Sequence, residues 1–140
     1  MADTKLCDAV HILCYIEFYK NQDLTSKRLA SSLNTDPTLV RHLMGKLRKA
    51  GLLASTQGVA RPRLTRDLGD ISMLDVYNAV EPKQELLHPD TKTSKTCPVG
   101  SLMPDVISRY YRDIQNSAEA RMRRVSLQDI MADLEAAQNT

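Results

Sequence analysis

Between Thr25 and Gly51 the chain sets two short apolar helical faces on either side of the turn Asn34-Thr35-Asp36, and this spacing constrains the fold more than any other feature. Thr25 or Ser26 can cap a short helix that turns Leu29, Ala30 and Leu33 inward. Pro37 suits the first turn of a second helix, whose apolar face is Leu39, Val40, Leu43, Leu47 and Ala50, and Gly51 is a natural stop. Ala30 falls where the two helices must cross, so a larger side chain there would push them apart. Asn34 sits at the turn, where a left-handed backbone is often needed and Asn tolerates it. Together these residues have the steric pattern of a helix-turn-helix.

The flanks extend the pattern to a mainly α, winged helix-turn-helix fold. Leu6, Ala9, Val10, Leu13 and Ile16 recur at helical spacing and predict a first helix over 5–19. Leu52 to Ser55 and Arg63-Leu64-Thr65 predict two short strands about a Gln57-Gly58 turn, a small two-stranded β wing. Ser72-Met73-Leu74-Asp75 reads as a capping box opening a helix with Leu74, Tyr77 and Val80, which Glu81-Pro82 ends. Residues 83–97 are polar and read as an exposed linker. A long helix is expected to begin between Pro98 and Pro104 and run to about Arg124. Ser126-Leu127-Gln128-Asp129 is a second capping box, for a short final helix carrying Ile130, Met131 and Leu134. The expected organisation is a DNA-binding domain over 1–82, a linker over 83–98, and a dimerisation helix with a C-terminal helix over 99–140.

A net charge of only +2 over 140 residues does not by itself announce a nucleic-acid partner, but its distribution does. Arg41, Lys46, Arg48, Lys49, Arg61, Arg63 and Arg66 fall in 41–66, a stretch without an acid. In this fold the second helix of the motif enters the major groove by its N-terminal residues, here Pro37, Thr38, Arg41 and His42. Arg41 is the candidate for a bidentate contact to guanine, and Thr38 for a phosphate or a thymine methyl. Thr25, Ser26 and Lys27 are placed to hold phosphate by side chains and helix-end amides. Arg61 and Arg63 on the hairpin would reach the backbone or the adjacent minor groove. The competing reading is that these charges only solvate exposed faces, and it is strongest for Lys46, Arg48 and Lys49. An adaptor binding proteins instead of DNA would have a neutral recognition face, against which Arg41 and the basic hairpin stand.

Val106, Ile107, Tyr110, Ile114, Ala118 and Met122 form an apolar stripe on the long helix. From Pro104 to Arg124 that helix spans about 30 Å, more than a three-helix module can cover. Pairing with the same helix of a second chain would cover the stripe and set two recognition helices about one DNA turn apart. Phosphate-binding glycine loops, nucleophile elbows and HExxH are absent, so an enzyme is not expected. No run approaches eighteen apolar residues, and no leader pattern opens the chain, so a cytoplasmic protein without membrane contact is expected. Cys7, Cys14 and Cys97 are odd in number and lack CxxC spacing, which argues against a disulfide framework. Cys14 reads as a small core residue. His11, His42 and His88 share no ligand spacing, so no metal site is expected.

With these residues in view, the chain resembles the Rrf-two (Rrf2) family of bacterial regulators, the group containing IscR, NsrR and CymR, and is most similar to its YwnA-type members. Four stretches carry the resemblance: residues 43–52 (Leu43 to Leu52), residues 70–80 (Asp70 to Val80), Cys97-Pro98-Val99-Gly100, and Ser126-Leu127-Gln128-Asp129-Ile130. The resemblance implies a homodimer on a palindromic operator, usually a repressor, tuned by a metabolic or redox signal. Members that hold an iron–sulfur cluster carry three closely spaced Cys in the linker region. Here only Cys97 falls there, so no cofactor is expected. Where many members have a glycine-rich wing, this chain reads Gly58-Val59-Ala60-Arg61-Pro62-Arg63. Cys97 has three readings: an oxidant-sensing thiolate favoured by a helix dipole, a cluster ligand with non-Cys groups such as Asp8 or His11 as in some relatives, or a packed residue. Operator, regulated genes, effector and sign of regulation are not legible in the residues.

Overall fold

A computed structural model describes residues 4–55, 61–82 and 85–139. Its elements are α1 (Lys5–Phe18), α2 (Ser26–Leu33), α3 (Pro37–Lys49), β1 (Leu53–Ala54), β2 (Arg63–Leu64), α4 (Met73–Val80), α5 (Pro98–Arg123) and α6 (Leu127–Gln138), with a 3-10 turn over Leu68–Asp70. The arrangement is the mainly α winged helix-turn-helix expected. No helix among the described residues is long and apolar enough to cross a membrane.

Local chemistry explains the ends of α2 and α3. Thr25, rather than Ser26, caps α2, its hydroxyl accepting from the Arg28 N–H at 3.1 Å. Asp36 caps α3, accepting from the Thr38 N–H at 2.7 Å, with Pro37 in the first turn. Asn34 at φ 52° and Gly51 at φ 80° turn left-handed just past the two helices. In each case the next two amides reach back: Asn34 to Ser31 and Thr35 to Ala30, then Gly51 to Arg48 and Leu52 to Leu47. Both ends are therefore Schellman motifs, which satisfy carbonyls that would otherwise lack partners. The second motif shortens the predicted strand, because the Leu52 amide is already used. β1 begins one residue later and pairs antiparallel with β2, Leu53 opposite Leu64. The Gln57-Gly58 turn lies outside the described residues.

The core is aliphatic. Ile12, Leu13 and Ile16 of α1 meet Leu29 and Ala30 of α2 and Val40, Leu43 and Leu47 of α3, all nearly or fully buried. Truncating one such leucine to alanine costs about 2–5 kcal/mol. Leu127 and Met131 of α6 belong to the same cluster, so the last helix returns to the body against α1 and the 3-10 turn. Two side-by-side capping boxes hold it there. Ser72 with Asp75 opens α4, Ser126 with Asp129 opens α6, and Ser72 and Ser126 form an antiparallel bridge. The Met73 amide donates to Val125 and the Leu127 amide to Ile71.

α5 begins at Pro98 and carries Pro104 inside it. A proline there leaves the carbonyl four residues earlier, Gly100, without its helical partner. The Thr93 hydroxyl donates to that carbonyl instead. Gly100 also has to be glycine for a steric reason: a Cβ would lie 2.9 Å from the Ser94 carbonyl oxygen. The linker thus folds over the first turn of α5, and the Ser94 hydroxyl accepts from the Cys97 amide at 3.1 Å. Over 26 residues α5 is about 39 Å long and meets the body through α4.

Candidate nucleic-acid interface

The outer face of α3 presents Thr38, Arg41 and His42, all exposed, one turn apart. Arg41 donates to the Thr38 hydroxyl at 3.3 Å, which pre-orients the guanidinium along the N-terminal half of the helix. Asp36, at the cap, has its carboxyl held below the usual range by the Thr38 amide first, then by the Thr38 hydroxyl, with Arg41 adding to the effect. Thr25 stands exposed at the start of α2, with half-buried Ser26 and exposed Lys27 following.

The other predicted cations separate into different situations. Lys46 lies on α3 but turns away from Arg41, donating to the Val80 carbonyl at 3.2 Å in a half-buried contact that ties α3 to the end of α4. That bond restrains the ammonium but uses only one of its three N–H donors. Arg61 is paired with Asp23 at 3.0 Å, both side chains more than half exposed. That pair brings the base of the hairpin beside the start of α2. The side chain of Arg63, exposed on β2, makes no hydrogen bond or ion pair among the described residues. Arg61 and Arg63 share with Lys20 and Arg66 an open groove of about 780 Å³, whose walls also include Glu17, Asp67 and Asp70. Arg48 donates to the Ser55 hydroxyl at 3.3 Å, while Lys49 is exposed at the end of α3.

Two residues that matter here were not singled out by sequence reasoning. Arg28 donates to the Tyr15 hydroxyl, the Asp23 carbonyl and the Gln22 side chain, and its guanidinium lies 4.9 Å from the Tyr19 ring centre. It therefore serves to lock α2 onto the end of α1. Asp23 is the second, as partner of Arg61. Nothing in their spacing signals either role, because each partner lies on another element.

The three cysteines are chemically distinct. Cys97 is exposed and caps α5, its Sγ accepting from the Gly100 amide at 3.5 Å. The amides of Gly100 and then Val99 pull its thiol pKa down. Cys14 is buried in the core, which pushes its thiol up to about 11. Cys7 is exposed on α1.

Comparison with known proteins places this geometry. A family model described as Rrf2, an iron-dependent transcriptional regulator, matches residues 2–133. The chain belongs to the Rrf2 family. YwnA of Bacillus subtilis (strain 168), described as an HTH-type transcriptional regulator, is 34% identical over 134 residues, covering 96% of this chain and 99% of YwnA. A crystal structure described as that of a DNA-binding protein superposes with a TM-score of 0.73 at 33% identity, over 91% of this chain and 98% of its own. IscR of T. potens shares the fold, with a TM-score of 0.72 at 21% identity over 99% of this chain and 90% of its own. The Rrf2 family is one of transcriptional regulators and not of enzymes, and this chain is a transcriptional regulator of that family.

The iron in the family's description can be tested against the residues present. Iron–sulfur clusters are held mainly by several thiolates. Among the described residues no three of His, Cys, Asp and Glu gather into a metal-sized group. Asp8 instead accepts from the Thr4 hydroxyl at 3.0 Å, and His11 pairs with the Ser32 hydroxyl at 2.8 Å. The donor set among the described residues of one chain does not fit an iron centre, and Asp8 and His11 are not gathered with Cys97.

Proposed function

We propose that this Rrf2-family regulator acts in the cytoplasm as a homodimer that represses transcription from a palindromic DNA operator. The observation that carries this reading is the exposed Thr38-Arg41-His42 face of α3, with no acid on it beyond the capping Asp36. α3 would lie in the major groove. Arg41 reads guanine through its two parallel N–H groups, and Thr38 orients it or meets the backbone. Thr25, Ser26 and Lys27 hold phosphate at the start of α2, and Arg63 with Arg61 holds the flanking backbone. The outward stripe of α5, including Val106 at 37%, Tyr110 at 63% and Ile114 at 49% exposure, supports pairing with a second chain. Ile107, Ala118 and Met122 continue it. Specific affinity then comes from two half-sites read together.

The binding is responsive to thiol oxidation in this reading. Cys97 is supported by its exposure and by amides that favour its thiolate. A peroxide would take it to the sulfenic acid, the sulfur–oxygen bond forming as the oxygen–oxygen bond breaks and the second oxygen leaves as hydroxide.

The test is a titration of labelled DNA from upstream of the protein's own gene at fixed salt, with reduced and peroxide-treated protein. Tight binding only when reduced, lost in Arg41→Ala and made oxidation-insensitive in Cys97→Ser, is the expected result. Equal binding in both states would remove the redox component. Binding by Arg41→Ala equal to the parent, on all sequences, would refute the placement of α3.

A further inference from the structure

Gln115 is the only buried polar residue among the described ones, and every one of its amide groups is used. Its Oε1 accepts from the Leu86 amide of the linker at 2.9 Å. Its Nε2 donates to the Tyr77 hydroxyl of α4 at 3.2 Å and to the Glu119 carboxylate, one turn along α5, at 3.0 Å. The orientation of the amide is chemically determined. Flipped, its NH₂ would face another N–H and its oxygen would face a carboxylate. One side chain therefore joins three segments, namely the linker, α4 of the DNA-binding body and the long helix, at the place where α5 meets that body.

We infer that Gln115 is the positioning residue that sets the angle between each DNA-reading body and the dimer helix, and so specifies the separation of half-sites the protein accepts. The inference rests on the reading of α5 as the dimer helix. Apolar packing between α4 and α5 alone is tolerant of sliding and tilting, whereas directed hydrogen bonds that link one buried amide to Tyr77 of α4 and Leu86 of the linker, with Glu119 on the same helix orienting that amide, restrict both. Gln115 lies within the span of the outward stripe, between Ile114 and Ala118, so the joint sets the body directly against the paired part of α5, and two-fold symmetry applies any tilt there to both bodies. The linker strand held at Leu86 leads through Thr93 to Cys97, so the same joint ties the segment bearing that thiol to the body.

The experiment uses the full-length protein and palindromes, selected from random sequence with the parent, that differ only in half-site separation. Oligomeric state is measured by sedimentation and melting temperature alongside binding. The parent is expected to prefer one separation sharply. Gln115→Met is expected to remain a dimer with the same half-site sequence preference, while its discrimination between the best and adjacent separations falls about tenfold. Gln115→Glu, which sets a carboxylate against Glu119, is expected to do the same. Adding Glu119→Gln restores a complementary set, the new carboxylate accepting from Leu86, Tyr77 and the new amide, and is expected to return the sharp preference. Tyr77→Phe removes only the hydroxyl, tests the joint if the Gln115 variants fold poorly, and is expected to broaden the preference in the same sense. A uniform loss of affinity at all separations would show a role in stability alone and overturn the inference. So would an unchanged spacing profile in dimeric, folded Gln115→Met and Tyr77→Phe proteins. A monomeric parent would overturn the dimer reading itself, and this inference with it.

Discussion

The hairpin arginines give a sharp quantitative test, because among the described residues the Arg63 side chain is unpaired while Arg61 is tied to Asp23. Each phosphate neutralised by a cation adds about 0.9 to the slope of log Kobs against log salt, through counterion release. The exposed Arg63 side chain has no partner among the described residues, so Arg63→Ala should lower that slope by close to the full 0.9. Between 50 and 200 mM salt, a fourfold change, such a loss amounts to about 3.5-fold, so the variant's deficit should shrink by about that factor across the range. Arg61 starts from its pair with Asp23 at 3.0 Å, both side chains more than half exposed. Such a pair is worth about 0–1 kcal/mol, and DNA must either break it or bind beside the Asp23 carboxylate. Arg61→Ala should therefore weaken binding less than Arg63→Ala. Asp23→Asn, which frees Arg61 and removes a negative charge, should strengthen binding by up to about fivefold with a steeper salt slope. Fluorescence anisotropy on one operator at four salt concentrations measures all three. An Arg63→Ala protein that keeps the parental slope, or a folded Asp23→Asn protein that binds more weakly, would refute this placement of the hairpin on DNA.

Further outcomes follow from other parts of the molecule. Ile114→Glu puts a charge in the outward stripe of α5, where Ile114 is half exposed in a single chain. Sedimentation should show monomers, with affinity for the palindrome reduced to that for one half-site, and a variant that stays dimeric would refute the stripe as the interface. Thiol reactivity should rank Cys97 well ahead of Cys14 in the native protein, since amides stabilise the Cys97 thiolate while burial pushes Cys14 up to about 11. Timed alkylation with mass spectrometry checks this, and equal rates would contradict it. Asp36 has a depressed carboxyl, so its contribution to stability is present above the ordinary value of 3.8 and is lost as pH falls through the folded value. The melting temperature of Asp36→Ala should lie below that of the parent at neutral pH, and the two should converge in acid. A difference that persists once the carboxyl is protonated would rule out this linkage.

Much of the fold was legible in the residues because its signals are local. Thr25, Asp36, Ser72 and Ser126 cap helices with atoms three residues away or fewer, and Asn34 and Gly51 end helices through their own backbone preference. The 3.6-residue recurrence of Leu29, Val40, Leu43 and Leu47 already contained the inward faces. The Thr38, Arg41 and His42 face was legible for the same reason, since a one-turn spacing on a capped helix determines what points outward together. Tertiary structure decided whatever depends on which faces meet. It turned Lys46 to the Val80 carbonyl, joined Arg61 to Asp23, returned α6 to the core through Leu127, and sent the Thr93 hydroxyl to the carbonyl that Pro104 leaves open. It also buried Gln115 among three segments that are distant in the chain. A side chain's reach and periodicity are properties of its immediate sequence, but its partner is chosen only when distant elements pack. For that reason the exposed Thr38, Arg41 and His42 face of α3 was in the sequence, while its angle to the long helix was not.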